Sequence, residues 1–156
     1  MRLIVLALVL VTAPLAAKQN LVEQGQAAID RNDPQGALTV LQRAAAEDPN
    51  NAKVHYLLGV AYGNLAQKAG AFRRMSLARH TRDEFERAVA LDPNDLDARW
   101  ALVQYYALAP GYLGGSEERA RQQAEEISKR DASFGKRAFD FLAQKRKRSS
   151  AVQSDD

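Results

Sequence analysis

Two Asp-Pro-Asn breaks, Asp48 to Asn50 and Asp92 to Asn94, each close a pair of helix-period apolar stripes, and nothing else constrains the fold as tightly. Between them, AKVHYLLGVAYGNL places Tyr56, Leu58, Gly59, Ala61 and Tyr62 at helical spacing. Gly59 has no side chain, so a second helix can approach within backbone distance. The stretch TRDEFERAVALDP supplies that helix, with Phe85, Ala88, Val89 and Leu91 as its stripe and Pro93 as its stop. The predicted unit is a helical hairpin.

The same grammar precedes and follows it. In NLVEQGQAAIDRN, Leu21, Val22, Gly25, Ala28 and Ile29 lie along one helix side; Asn32 and Asp33 break it and Pro34 opens the next helix. That helix carries Ala37, Leu38, Leu41, Ala44 and Ala45 and stops at Pro49. A third pair is expected in LDARWALVQYYAL and SEERARQQAEEISKRD, with Leu102, Val103 and Tyr106 facing Ala120, Ala124 and Ile127. Ser116 is placed to cap the second of these helices. No proline closes this pair; Ala132 stands there. From Ser133 to about Arg148, Phe134, Ala138, Phe139, Phe141 and Leu142 predict a final amphipathic helix over the open end of the stack, because each hairpin leaves an apolar face for the next.

Leu21, Gly25, Ala28, Ala37, Leu41, Ala44 and Pro49, and again Leu58, Gly59, Tyr62, Phe85, Ala88 and Pro93, resemble the tetratricopeptide repeat (TPR) signature. The resemblance implies an all-α TPR-like superhelix of three helical hairpins plus a C-terminal capping helix over residues 18–148. Pro49 and Pro93 are 44 residues apart, against roughly 34 in the family. The surplus falls in QKAGAFRRMSLARH, rich in helix formers, which predicts that both helices of the middle hairpin are extended. Phe72 and Met75, beside Arg73, Arg74 and Arg79, are expected to pack locally between them, the other reading being a partner surface. Ala109, Pro110, Gly114, Gly115 and Ser116 are similar to the Ala-Pro, Gly-Gly loop of a subgroup of exported bacterial TPR proteins of unassigned role.

The N-terminus reads differently. Arg2, the apolar run Leu3 to Val11 and TAPLAA form a signal peptide over residues 1–17, too short for the roughly 20 residues of a membrane span. The expected location after cleavage is the periplasm or outside the cell, with a retained anchor as the alternative. There is no cysteine, which excludes disulfides, thiolate metal sites, a cysteine nucleophile and a lipid-anchored lipoprotein. The net charge of +3 resides in Lys145, Arg146, Lys147 and Arg148; basic and acidic residues balance from Lys18 to Gln144. Behind an export signal this tetrad reads as solubilising, and it gives no nucleic-acid-binding body. Residues 149–156 are expected to be disordered.

No chemistry-bearing constellation emerges. His80 and Glu84 share a helix face, but two ligands do not make a metal site; no serine lies in a nucleophile-elbow context, and neither His55 nor His80 has an obvious orienting carboxylate beside a nucleophile. The Gly114 and Gly115 loop lacks a P-loop lysine and follows a helix, so it reads as a shaped turn. We therefore expect no enzyme activity and no cofactor.

The resemblance places the first helix of each pair on a concave face, at positions that include Val22 and Gln26, then Tyr56, Val60 and Asn64, then Trp100 and Gln104. Tyr56 and Trp100 are equivalent places in successive repeats. Aromatics beside amides suit a peptide or protein partner, the alternative for both rings being packing against neighbouring helices or the cap. Tyr56, Val60, Trp100 and Gln104 replace the lysine and asparagine of carboxylate-clamp TPRs, which argues against a chaperone-tail ligand. The leading functional expectation is a non-enzymatic interaction scaffold of the cell envelope; the rival is an envelope-surface protein whose basic tail holds anionic lipid or cell-wall polymer, with membrane contact at most peripheral.

Overall fold

The computed structural model describes residues 12–154. Seven α-helices follow in order and no strand occurs among the described residues: α1 (Thr12–Asp30), α2 (Pro34–Glu47), α3 (Ala52–Lys68), α4 (Ala71–Leu91), α5 (Leu96–Leu108), α6 (Glu117–Arg130) and α7 (Ala132–Ser154). A 3-10 turn, Gly111–Leu113, lies between α5 and α6. Three antiparallel hairpins, α1–α2, α3–α4 and α5–α6, stack side by side with α7 against α6, a TPR-like α-α superhelix. Short polar side chains start α2, α3, α5 and α6. Asp33, Asn51, Asp95 and Ser116 each accept a hydrogen bond from the backbone N–H three residues on, satisfying a donor that the first turn leaves open. Asn32, at φ 57°, terminates α1 in the left-handed conformation.

Within each of the first two hairpins, a glycine sets how closely the helices cross. A Cβ on Gly25 would lie 2.4 Å from Cδ2 of Leu41, and one on Gly59 would lie 2.5 Å from the Phe85 ring. Phe85, Leu41, Leu57, Leu58 and Ala61 are all buried. In the third hairpin Val103 takes the glycine's place and is itself buried, with Ala124, Ile127 and Ala138 of the cap.

A polar clip repeats where one hairpin meets the next. His55 sits between the Pro49 carbonyl, 2.9 Å from Nε2, and the Glu84 carboxylate, 2.6 Å from Nδ1. Its counterpart Arg99, 6% exposed, donates from Nε to the Pro93 carbonyl at 2.8 Å and from Nη1 to Gln123 at 2.7 Å. The asparagine after each proline is held as well: Arg87 donates to Asn50 and Arg130 to Asn94, both at 3.0 Å. A basic side chain therefore satisfies the carbonyl of each helix-breaking proline and ties it to the second helix of the following hairpin.

The middle hairpin is extended in both arms. Its helices have 17 and 21 residues, against 14, 13 and 14 in α2, α5 and α6. The break falls at Ala69 and Gly70, as the sequence predicts. Phe72 departs from expectation. It is 88% exposed instead of packed between the arms, because it lies on the outward side of α4 while Leu77 and Thr81 take the buried side.

The capping helix also runs further than predicted. It continues past Arg148 to Ser154 through the segment expected to be disordered. No glycine or proline follows Gly135, and the Ser149 and Ser150 hydroxyls donate to the Lys145 and Lys147 carbonyls along the helix. At the other end, residues 1–11 of the proposed leader lie outside the described residues. No helix among the described residues is long and apolar enough to cross a membrane.

Candidate functional site

The extra length of α3 and α4 builds a wall that the third hairpin, with its short α5, cannot cover. Between them lies an open groove of about 450 Å³. Tyr56 and Val60 of α3 and Trp100 and Gln104 of α5 face each other across it; Arg74, Ala78, Thr81 and Phe85 of α4 form its floor and far side. Those four residues recur at the spacing of one helix face. Leu108 at the end of α5, with Pro110 and Leu113 of the chain that follows, closes one end. Leu108 lines the groove at 63% exposure, a large aliphatic side chain left uncovered.

Five of the seven residues expected on the concave face, Tyr56, Val60, Asn64, Trp100 and Gln104, line this groove together. Val22 and Gln26 do not. Val22 packs partly buried against the first core cluster, and the Gln26 amide donates to Asp30 at 2.9 Å within α1. The groove is bounded by the elongated hairpin and the loop after α5, features outside the regular repeat pattern. That also explains the residues missed: Arg74, Ala78 and Thr81 lie at or near the insertion, and only their one-face spacing signals them.

The two aromatics differ in role. Tyr56 is half-buried, with the Phe85 ring centroid 6.0 Å away and the Lys53 ammonium 4.9 Å from its own. Burial, then the nearby Asp97 and Asp95 carboxylates, push its phenol up. Trp100 both lines the groove and packs against α7, its ring 5.2 Å from Phe141 in an edge-on contact and 5.8 Å from Phe134. The packing alternative for Trp100 is therefore part of the structure, although α7 leaves the groove open. Electrostatically the groove is polarised, with Asp97 among its lining residues by Tyr56 and Arg74 on the α4 side.

The loop is a rigid end wall. Gly114 adopts φ +89°, and a Cβ on Gly115 would meet the Ala109 carbonyl at 1.7 Å. The amides of Leu113, Gly114, Gly115 and Ser116 all donate to carbonyls of Pro110, Gly111, Pro110 and Tyr106, so none is turned outward as in a phosphate cradle. Tyr105 donates from its hydroxyl to the Leu113 carbonyl at 2.9 Å, fixing the loop to α5.

The histidines take structural positions. His80 stacks on Tyr62 at 4.9 Å, and the carboxylate of its helix neighbour Glu84 is engaged by His55. Among the described residues no group of three His, Cys, Asp or Glu side chains could hold a metal ion. The basic tetrad sits at four consecutive positions of α7, where successive side chains fan around the axis and form no stripe.

Residues 25–65 match the family model described as TPR repeat. No curated protein matches the chain. The match runs from Gly25, the first close-crossing position, through Pro49 and Gly59 to Leu65, the same residues that set the hairpin geometry. A TPR repeat is therefore present at residues 25–65 of this all-helical stack of hairpins.

Proposed function

We propose that the protein is a non-enzymatic scaffold that binds a polypeptide segment in the groove between the α3–α4 hairpin and α5. TPR repeats generally mediate protein–protein interaction, and the observation that carries the reading here is Leu108: an aliphatic side chain 63% exposed on the lip of a concave surface lined by Tyr56 and Trp100. Exposed apolar surface in a concave site costs free energy in water that a partner's apolar side chain recovers. Asn64 and Gln104 offer amide donors and acceptors to a peptide backbone, and the Asp97 and Arg74 positions favour a segment whose charge changes sign along its length. An exported location fits the N-terminal sequence and belongs to the same proposal.

Selection of peptides from a random displayed library tests it. Binders are expected to be lost on Val60→Asp and on Leu108→Asp, with the helical circular dichroism unchanged. Binders that survive both substitutions would place recognition elsewhere.

A further inference from the structure

We infer that the tip of the α3–α4 hairpin is a contact site for an anionic lipid surface, independent of the groove. From Lys68 to Arg82 the chain carries Lys68, Arg73, Arg74, Arg79 and Arg82 and no aspartate or glutamate. Lys68 donates to Asn32, Arg74 to the Ala69 carbonyl, and Arg82 pairs with Asp83. Arg73 and Arg79 are exposed and have no ion pair or hydrogen bond among the described residues. Phe72, next to Arg73 in sequence and two helical turns before Arg79, is 88% exposed, the most uncovered large apolar side chain described. Phe72, Ser76 and Arg79 share one face of α4; Arg74, Ala78 and Thr81, which line the groove, share the other.

Shape decides between classes of anionic partner. The ten surplus residues are shared by two helices, which carries the tip roughly 7 Å beyond a regular repeat at 1.5 Å per residue. A lone phenylalanine on a convex tip offers a protein partner no wall to close around. A bilayer interface requires none, since the ring enters the acyl boundary while flexible arginines keep their guanidinium groups among the headgroups. Unpaired cations on the same helix as that ring match a surface of anionic headgroups.

Co-flotation of the full chain with phosphatidylcholine vesicles, with and without phosphatidylglycerol, tests the inference. Variants of the same chain are compared, so contributions from its termini cancel. Phe72→Ser should weaken binding to phosphatidylglycerol vesicles about tenfold, the effect of losing one buried phenyl ring, and leave its salt dependence intact. The double variant Arg73→Glu, Arg79→Glu should weaken binding at least about tenfold and flatten the salt dependence. Phe72→Trp should shift emission to the blue only on the anionic vesicles. Binding unchanged by either set, or lost only on truncation after Gln144, would overturn the inference. So would capture of an acidic polypeptide through Phe72 and the two arginines without a vesicle preference. Groove variants such as Leu108→Asp should leave vesicle binding unaltered.

Discussion

Phe85 lies flat on Gly59: a methyl group at that glycine would come within 2.5 Å of the phenyl ring, itself only 7% exposed. The pair sets the crossing of α3 and α4 and also floors the groove, since both residues line it. Gly59→Ala should therefore destabilise the protein by about 1–3 kcal/mol, the usual cost of overpacking. Gly63→Ala, four residues on, meets Thr81 at 3.6 Å, an ordinary contact. It should be neutral or stabilise by up to about 1 kcal/mol through helix propensity. Urea unfolding of the two variants checks the contrast.

The repeated clip predicts an asymmetry between Arg99 and its counterpart His55. Arg99 is the more buried and serves the Pro93 carbonyl and Gln123 together. Arg99→Leu leaves both acceptors without their donor and should cost about 2–3 kcal/mol. Arg99→Lys should recover little, because one ammonium cannot reproduce the planar fork. His55→Ala should cost less. Denaturant midpoints for the three variants order the effects.

Acid should weaken the α6–α7 end first. Hydrogen bonds from Lys129 and then Arg130 hold the Glu126 carboxyl at about 2, below its ordinary 4.5. The Phe134 amide and the Ser133 hydroxyl hold Asp131 low as well. A carboxyl lowered by folding stabilises the ionised native state. That contribution is complete above the unfolded value and is lost as pH falls through the folded one, here from about 4.5 towards 2. Glu126→Gln should flatten the acid limb of a stability-against-pH curve by lowering its neutral plateau, while stability near pH 2 stays nearly in place.

Two phenylalanines of the cap separate packing from exposure. Phe141 meets Trp100 edge-on, whereas Phe139, two residues away, is 37% exposed. Phe141→Ala should cost about 2–3 kcal/mol and shift Trp100 emission to the red. Phe139→Ala should stay within about 1 kcal/mol. Thermal melts followed by fluorescence distinguish them.

The hairpins, their boundaries and the lengthened middle pair were legible because proline, glycine and capping side chains act locally and leave a fixed spacing. Gly25, Gly59 and Phe85 could be assigned from that spacing alone. The groove was only half legible. Tyr56, Val60, Asn64, Trp100 and Gln104 follow the repeat, but Arg74 and Ala78 reach the site through an insertion, and Pro110 and Leu113 through a loop whose direction depends on tertiary contacts such as that of Tyr105 with Leu113. The exposure of Phe72 was hidden for a related reason: apolar periodicity names a stripe, and the neighbouring helix decides which of its members are covered. The clip made by His55 and Arg99 joins residues of different type at equivalent positions, a likeness of role that residue identity does not show.

A photo-crosslinking amino acid placed at Gln104, inside the groove, and in a separate variant at Gln122, on the exposed side of α6, tests the account most directly. Irradiation in the native cell should give a discrete polypeptide adduct from position 104 and none from 122, and Leu108→Asp should abolish it. Adducts of equal yield from both positions, or none from 104, would contradict a groove built to hold another polypeptide.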